Sequence, residues 1–285
     1  MDVLFSDEND VEYTAEDIKE SLLEVGADDC ETLFIHSDVM FGKPANGFNR
    51  KKYLNTLYEV IMSLGVKWII VPSFTYSYPN GETYDVVKSR TTMGAFNEYI
   101  RKLDNRFRTY DPILSLSVPN ELRYMFEEIS DNSLGKGSGL DIIHNMDNVK
   151  FLFLGAEMAE CFTYVHYVEK NLEVPYRFDM KFEGTIIYPD GTEKQSSQSI
   201  HTQCFGVKLP EKYVYFEEEM FNKGFLKKKK LGDKYIATIS EEDAYREIKS
   251  HIENDIYYFV DGKFNSEDLI HKYTYSKENG KITHC

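Results

Sequence analysis

Apolar residues recur at helical spacing in two stretches near the start of the chain. The first stretch predicts a helix over about residues 15–25, with Thr14 as its cap and Gly26 as its end. The second predicts a helix from Arg50 to Leu64, which Gly65 ends. The two apolar stripes are Ile18, Leu22 and Val25, and then Leu54, Leu57, Ile61 and Leu64.

Short runs of consecutive apolar residues predict buried strands at Thr32–Ile35, Trp68–Val71 and Phe151–Leu154. The first two flank the helix from Arg50 to Leu64, and such a β-α-β unit implies parallel strands joined by a right-handed crossover. A three-layer α/β core over about residues 30–175 follows. Further helices within it are predicted near 94–103, 120–129 and 160–172.

The pattern changes at about residue 180 to that of antiparallel strands. Phe182–Tyr188 and the segment after Asp190-Gly191 predict a hairpin. Helices near 212–223 and 241–252 and a strand at Ile256–Val260 are predicted to follow it. The expected fold class is α/β, with a parallel-containing central sheet flanked by helices and a smaller C-terminal α+β lobe. Residues 1–285 are expected to form a single domain, with the core lobe over about 30–175 and the smaller lobe over about 176–285.

The composition predicts a protein with a packed interior. Hydrophobic residues make up 42% of the chain and aromatic residues 14%, which excludes a disordered chain. No run approaches the ~18 consecutive apolar residues of a membrane span, and the first residues lack the pattern of a secretory signal. The four cysteines are scattered, which predicts free thiols in the cytoplasm rather than disulfides.

The net charge of −15 is concentrated at one end of the chain. Residues 1–31 contain twelve acidic side chains and a single basic one, Lys19, so the remainder is only mildly acidic. No broad basic stripe is present to neutralise phosphates, so nucleic acid is not an expected partner. The basic run Lys227–Lys230 is predicted to be a solvated loop.

Polar residues follow each of the three predicted parallel strands. His36-Ser37 follows the first, Ser73-Phe74-Thr75 the second, and Thr163, His166 and Glu169 come after the third. Open parallel sheets bind ligands outside the carboxyl ends of their strands. If the strands are neighbours, these residues converge on one crevice.

His166 and Glu169 lie three residues apart on a predicted helix, so their side chains can share a face. A carboxylate that holds one imidazole nitrogen raises the basicity of the other, and such a pair can take a proton from an attacking amine. The alternative is an ordinary helical contact. Similarly, the glycines of Gly135–Gly139 can let the backbone approach a phosphate, or can form a flexible turn without ligand.

Eight motifs in order along the chain resemble the aminoglycoside 3-N-acetyltransferase family, over about residues 31 to 260. They are Ile35–Asp38, Val71–Thr75, Thr91–Gly94 with Glu98 and Arg101, Arg108–Pro112 with Ser115, Leu134–Ser138, Leu152–Gly155, Thr163–Glu169 and Pro175–Arg177.

This resemblance implies a coenzyme A-dependent N-acyltransferase with the α/β fold of that family. It implies that His166 is the general base and that Glu169 orients it. The expected partners are acyl-coenzyme A and an amino sugar, with no metal ion, and a homo-oligomer is possible. The residues expected to bind coenzyme A are His36, Ser37, Ser73, Thr75, Thr91, Met93, Gly94, Gly135 and Ser138.

One motif departs from the family pattern. Members that modify aminoglycosides typically carry Arg-Ser-x-His-Pro where this chain has Arg108-Thr109-Tyr110-Asp111-Pro112. The aspartate resembles relatives in bacterial surface-polysaccharide pathways, so a nucleotide-linked amino-deoxy sugar is the expected acceptor. Asp111, Arg108, Tyr76 and Arg177 are its expected contacts. The alternatives are an aminoglycoside 3-N-acetyltransferase, whose polycationic acceptor demands the opposite electrostatics, and a non-catalytic sugar- or coenzyme A-binding module.

Overall fold

The structure is a computed structural model that describes residues 2–208, 212–264, 267 and 269–272. The strands are β1 (Val3–Ser6), β2 (Glu12–Thr14), β3 (Thr32–Ser37), β4 (Lys43–Pro44), β5 (Trp68–Pro72), β6 (Tyr84–Asp85), β7 (Arg106–Arg108), β8 (Leu116–Pro119), β9 (Val149–Leu154), β10 (Arg177–Ile187), β11 (Glu193–Gln203), β12 (Lys227–Leu231) and β13 (Lys234–Ser240). The helices are α1 (Ala15–Glu24), α2 (Arg50–Met62), α3 (Ala95–Arg101), α4 (Arg123–Phe126), α5 (Gly139–His144), α6 (Met158–Cys161), α7 (Tyr164–Asn171), α8 (Lys212–Asn222) and α9 (Glu241–Asn254).

A seven-stranded sheet in the order β12-β13-β9-β3-β5-β8-β7 forms the centre of the fold. Its three middle strands are parallel: Thr32 of β3 pairs with Trp68 of β5 on one side and with Val149 of β9 on the other. The strands outside them pair antiparallel. The predicted α/β class and parallel core are therefore confirmed, and the carboxyl ends of the three parallel strands lie at one edge.

The apolar runs of the parallel strands arise because both faces of the sheet are covered by helices. Along β3, Leu33 and Ile35 face one apolar cluster, whereas Phe34 faces the other. Residues of α1, α2 and α3 complete the first cluster, and residues of α5, α7, α8 and α9 the second. The sheet is consequently fixed from both sides, which makes its carboxyl-end edge a rigid support for a site.

The C-terminal half of the chain contributes strands both to a smaller hairpin sheet and to the central sheet. β10 and β11 form the predicted hairpin, from the pair Arg177–Gln203 to the pair Ile187–Glu193, and β6 adds to it in parallel. β12 and β13, which the sequence analysis assigned to the smaller lobe, instead extend the central sheet through the pairing of β13 with β9. Among the described residues, no helix has the length and apolar character of a membrane-spanning segment.

Four local predictions require correction. The helix near 160–172 is divided into α6 and α7 at Phe162-Thr163, and the helix near 120–129 is a 3₁₀ turn at Asn120–Leu122 followed by the short α4. The prediction of a strand at Ile256–Val260 is wrong. That segment forms turns closed by backbone bonds such as Val260 N–H to Tyr257 O, while Phe259 and Val260 are buried. An apolar run predicts burial here, but not an extended backbone.

The fourth correction concerns Lys227–Lys230, which form the edge strand β12 rather than a loop. The prediction failed because lysine has low strand propensity and the pairing with β13 overrides it. The cations of this strand meet acidic groups, with Lys229 Nζ 2.6 Å from Glu24 and Lys228 Nζ 2.6 Å from Glu217. Part of the N-terminal acidic charge is thus neutralised within the chain, and a charged edge strand discourages pairing with other chains.

Candidate active site

A crevice of about 540 Å³ lies at the carboxyl ends of the parallel strands. Four residues that the sequence predicted as cofactor contacts line it: His36, Ser37, Met93 and Gly94. His36 and Ser37 end β3, and the other two precede α3. Of the three polar clusters expected to converge here, His36-Ser37 lines the crevice, whereas the residues after β5 and β9 that were expected beside it do not.

Hydrogen bonds hold the walls of the crevice together. Ser37 Oγ donates to Asn97 Oδ1 over 2.7 Å, and Asn97 Nδ2 donates to Pro72 O over 2.9 Å. Gly94 has a φ of 91°, and a Cβ atom placed there would lie 3.2 Å from Ser37 O. The close approach of these two loops therefore favours glycine at position 94.

His36 is a buried polar group in this lining, with 4% of its surface exposed. Its ring stacks on Phe153 at 5.5 Å and meets the edge of Phe162 at 6.2 Å. Its Nε2 has no hydrogen-bond partner among the described residues. Because burial lowers the pKa of His36 to about 3, the imidazole is neutral and available to a ligand as a donor or acceptor.

The remaining charged residues of the crevice make it acidic. Its carboxylates are Asp38, Glu157, Glu160 and Asp233. The cation in the lining is Lys234, and it forms an ion pair with Asp38. Such a lining attracts a polycation and repels a diphosphate.

His166 and Glu169 make the contact that their spacing predicted. His166 Nδ1 lies 2.7 Å from Glu169 Oε2, and the carboxylate is completely buried. The Tyr176 hydroxyl donates to the other carboxylate oxygen over 2.8 Å, and Arg177 Nε lies 2.7 Å from Oε2. The His166 side chain is 29% exposed, so it remains accessible to a substrate.

The charges around this pair favour a neutral imidazole next to an ionised carboxylate. Burial and the Arg177 guanidinium lower the pKa of His166 below its usual range, against an opposing effect of Glu169. Burial alone would raise the pKa of Glu169, but Arg177 and the hydrogen bonds from His166 and Tyr176 bring it below its usual range. This is the protonation state that a general base needs.

The lowered pKa of His166 has a measurable consequence. We expect the imidazole to titrate below the ordinary value of about 6.5, so that its neutral form persists at neutral pH and is lost only as the pH falls through the shifted value. Proton NMR titration of the His166 ring, assigned by the missing resonance in His166→Gln, measures this directly. A midpoint above about 7 would contradict the arrangement described.

His166 is not among the residues that line the crevice. Phe162 connects the two regions: it follows α6, its ring packs against that of His36 in the lining, and α7, which carries His166, begins two residues later. Burial raises the pKa of the Cys161 thiol, also in the lining, which favours its protonated form over the reactive thiolate.

Other predicted cofactor residues support the loops instead of lining the crevice. Ser73 Oγ and Thr75 Oγ1 donate to the backbone carbonyls of Ser115 and Pro112, and Thr91 Oγ1 donates to Phe74 O. Pro72 and Thr92, next to them in sequence, line the crevice in their place.

The glycine-rich segment is also apart from the crevice lining. Ser138 caps α5, with its Oγ accepting from the Asp141 N–H over 3.2 Å. Gly135 packs against Asn132, where a Cβ atom would approach to 3.2 Å. The structure therefore gives Gly135 and Ser138 local structural roles.

The predicted acceptor contacts lie outside the crevice lining as well. Arg108 is buried and donates to the carbonyls of Ser73, Val86 and Ser89. Arg177 belongs to the His166 cluster, as described above. Tyr76 has a φ of 52° and packs edge-on against Phe74 at 6.3 Å.

Asp111, the residue on which the choice of acceptor rested, is 2% exposed. Its Oδ1 accepts from the N–H groups of Ile113 and Leu114 and from Ser133 Oγ. It closes a turn in the interior, where Oδ1 is held by groups of the protein itself.

The sequence analysis missed the acidic residues of the crevice. Asp38 and Glu157 follow β3 and β9 within a few residues, so their position after predicted strands was an available signal. Asp233 was not predictable in this way, because it lies between β12 and β13 and the first of these was taken for a loop.

The fold together with a match to a family model defines the protein as an α/β N-acyltransferase. Residues 35–253 match the family model described as aminoglycoside 3-N-acetyltransferase, and the chain belongs to that family, as its motifs predicted. No match is found among curated proteins.

Solved structures with the same fold are distant in sequence. The apoenzyme of aminoglycoside acetyltransferase AAC(3)-IVa is 17% identical, with a TM-score of 0.67 over 87% of this chain and 91% of that one. AAC-IIIb in binary complex with CoASH is 16% identical, with a TM-score of 0.69 over 88% and 99%. The YokD protein from Bacillus subtilis is 18% identical, with a TM-score of 0.67 over 85% and 94%.

The prediction of a nucleotide-linked amino sugar as acceptor is wrong. The family model and the neighbouring acetyltransferases favour the alternative, an aminoglycoside 3-N-acetyltransferase. The physical reason is in the crevice, where carboxylates occupy the lining in which a diphosphate would need arginine or lysine. The arginines expected to serve that purpose, Arg108 and Arg177, bind groups of the protein itself.

Proposed function

We propose that this protein transfers an acetyl group from acetyl-coenzyme A to the 3-amino group of an aminoglycoside. The observation that carries the proposal is the acidic crevice at the carboxyl ends of β9, β3 and β5 in a chain of this family. A polycationic acceptor gains from several carboxylates close together, and the same charges disfavour anionic competitors.

The crevice also has features that fit the thioester arm of the donor. The buried Nε2 of His36 lacks a protein partner, and Gly94 leaves the backbone accessible beside Ser37. We assign His36, Ser37, Met93 and Gly94 to this arm, which supplies the activated acetyl group. A likeness to a structure that contains CoASH supports the assignment.

In the proposed reaction His166 accepts a proton from the acceptor amine as its nitrogen attacks the thioester carbonyl. The new bond joins nitrogen to the carbonyl carbon, and the bond from carbon to sulfur breaks. The proton held by His166 then passes to the departing thiolate, which leaves as the free thiol. Glu169 stabilises the imidazolium while it carries that proton, and Arg177 and Tyr176 keep Glu169 ionised and in place.

The acidic lining predicts that removal of one of its carboxylates weakens binding of the acceptor. Glu160→Gln removes one exposed carboxylate, and we expect KM for an aminoglycoside to rise about two- to fivefold, corresponding to less than about 1 kcal/mol, with kcat retained. The effect should diminish at high salt. Glu253→Gln on α9, outside the crevice, is the matched control and should leave KM unchanged. An equal KM for Glu160→Gln and the control at low salt would contradict the assignment.

The proposal as a whole is tested by release of free thiol from acetyl-coenzyme A in the presence of a panel of acceptors. Aminoglycosides such as kanamycin and gentamicin are expected to be acetylated with kcat/KM of about 10⁴ M⁻¹s⁻¹ or above. Nucleotide-linked amino sugars serve as the anionic comparison and should be slower by about a hundredfold or more. Aminoglycosides that release no thiol above background would refute the proposal.

A further inference from the structure

A smaller cavity of about 380 Å³ adjoins the crevice on the side of α2. It shares Ser37, Asp38 and Gly94 with the crevice lining, so the two spaces meet between the end of β3 and the start of α3. Its volume lies at the lower end of the range of pockets that bind small molecules, ~300–1,000 Å³. A group bound in the crevice beside Ser37 and Gly94 can therefore extend into this cavity.

The floor of the cavity is apolar. It is formed by Val39, Tyr53 and Leu54, all of them buried. The Tyr53 hydroxyl donates to the backbone oxygen of Val39 over 2.8 Å, and Ser37, at the junction with the crevice, donates to Asn97 over 2.7 Å. Because these hydroxyl protons are used within the protein, the floor offers a ligand mainly apolar contact.

Large apolar side chains also stand at the rim of the cavity, where they are exposed to solvent. Met40 is 55% exposed and Phe48 is 41% exposed, and both line the cavity. The Phe48 ring packs against that of Tyr53 in the floor, with the ring centres 5.5 Å apart. Exposed apolar groups around a concave apolar surface are typical of a binding site.

The charged groups of this cavity do not suit the polar parts of either substrate. Asp38 is the carboxylate in the lining, and its ion pair with Lys234 leaves little negative charge for the ammonium groups of the acceptor. A diphosphate would meet the guanidinium of Arg50, which is exposed at the start of α2 and can cover apolar surface with its stem. An aliphatic chain, which needs no charged partner, matches both the floor and the rim.

We propose that this cavity is the subsite for the acyl chain of the donor, and that it accepts aliphatic acyl groups longer than acetyl. The inference rests on the proposed function, because the thioester arm is assigned there to Ser37 and Gly94, which lie at the junction. With the thioester carbonyl in the crevice, the methylene groups beyond acetyl pass this junction and pack against Leu54 and Ala95.

The reaction of a longer acyl group has the same balance as acetyl transfer. The acceptor nitrogen forms a bond to the carbonyl carbon, the bond from carbon to sulfur breaks, and the amine proton leaves on the thiol. The additional methylene groups take no part in these steps. They contribute to binding alone, through the apolar surface that they remove from water.

Isothermal titration calorimetry of the full chain with acetyl-, propanoyl-, butanoyl- and hexanoyl-coenzyme A measures this contribution. A fully buried methylene strengthens binding about fourfold, and the cavity is open at its rim, so butanoyl-coenzyme A should bind about tenfold more tightly than acetyl-coenzyme A. Ala95→Leu fills part of the cavity and should abolish this difference. Met40→Ala removes contact at the rim and should reduce it about two- to threefold.

The matched control for the rim variant is Met62→Ala. Met62 is 45% exposed at the last residue of α2, outside the cavity lining, so its removal should leave the chain-length dependence unchanged. Equal binding of acetyl- and butanoyl-coenzyme A by the unmodified protein would overturn the proposal. The same chain-length dependence in Ala95→Leu, Met40→Ala and Met62→Ala would also overturn it, because the longer chains would then bind elsewhere.

Failure of this inference is distinguishable from failure of the proposed function. If every acyl-coenzyme A fails to bind, the donor assignment is refuted and this inference with it. If all of them bind equally, this inference alone is refuted. The acceptor is tested separately, by thiol release with aminoglycosides.

Discussion

Replacement of His166 by alanine is expected to lower kcat by ~10²–10⁴-fold, the usual contribution of a general base. The imidazole is the group beside the buried carboxylate that is both neutral and accessible. Binding of acetyl-coenzyme A, measured by calorimetry, should change little, because the donor arm is assigned to His36 and its neighbours in the crevice lining, which does not include His166. The measurement is the initial rate of thiol release at saturating substrates.

A matched control for this variant is His251→Ala. His251 also pairs with a glutamate, Glu219, at 3.0 Å. It lies on α9, outside the crevice lining, and does not belong to the His166 cluster. It should retain most of the turnover. If His166→Ala keeps more than about half of the wild-type kcat, another group is the base.

The second large effect concerns the buried ion pair behind His166. Arg177→Gln leaves the Glu169 carboxylate buried without its cation, and Glu169→Gln leaves the cation without its carboxylate. Each is expected to lower the free energy of unfolding by about 3–5 kcal/mol, measured by urea denaturation. The double variant should be destabilised by much less than the sum of the two, because the neutral amides leave no unpaired charge.

The same variants separate stability from catalysis. Arg177→Gln should raise the pKa of His166, because the guanidinium is a cause of its lowering, so the acid limb of kcat/KM moves to higher pH. Additive destabilisation together with an unchanged pH profile would show that Arg177 neither pairs with Glu169 in solution nor influences His166.

The parts of the fold that sequence predicts well are those in which local pattern and tertiary environment agree. Thr14 and Asp17 form the predicted cap of α1, with Asp17 Oδ2 accepting from the Thr14 N–H over 2.7 Å. The runs that became β3, β5 and β9 are buried on both faces, so continuous apolarity was a reliable signal. Parallel pairing then follows from the crossover helix α2.

The parts that failed depend on contacts between distant segments. Lys227–Lys230 carry no strand signal of their own and become β12 only through β13. Ile256–Val260 have the composition of a strand, but the segment forms turns in which Phe259 and Val260 are buried.

The functional site divides in the same way. The spacing of His166 and Glu169 fixes their contact within one helix, whereas Arg177, which was predicted as an acceptor contact, reaches Glu169 from β10. Arg108 and Asp111 were expected to meet the acceptor because they belong to the motif that departs from the family pattern. Their hydrogen bonds to the backbone show that such residues also hold loops in place. Burial, which a single sequence does not reveal at these positions, distinguishes the two cases.

The most direct test of the central claim is identification of the product formed from acetyl-coenzyme A and kanamycin or gentamicin. Mass spectrometry should show the addition of one acetyl group, and two-dimensional NMR should place it on the 3-amino nitrogen of the deoxystreptamine ring. His166→Ala should form this product far more slowly at the same protein concentration. An acetyl group on another position would contradict the proposed acceptor geometry, and the absence of any acetylated aminoglycoside would contradict the proposed function.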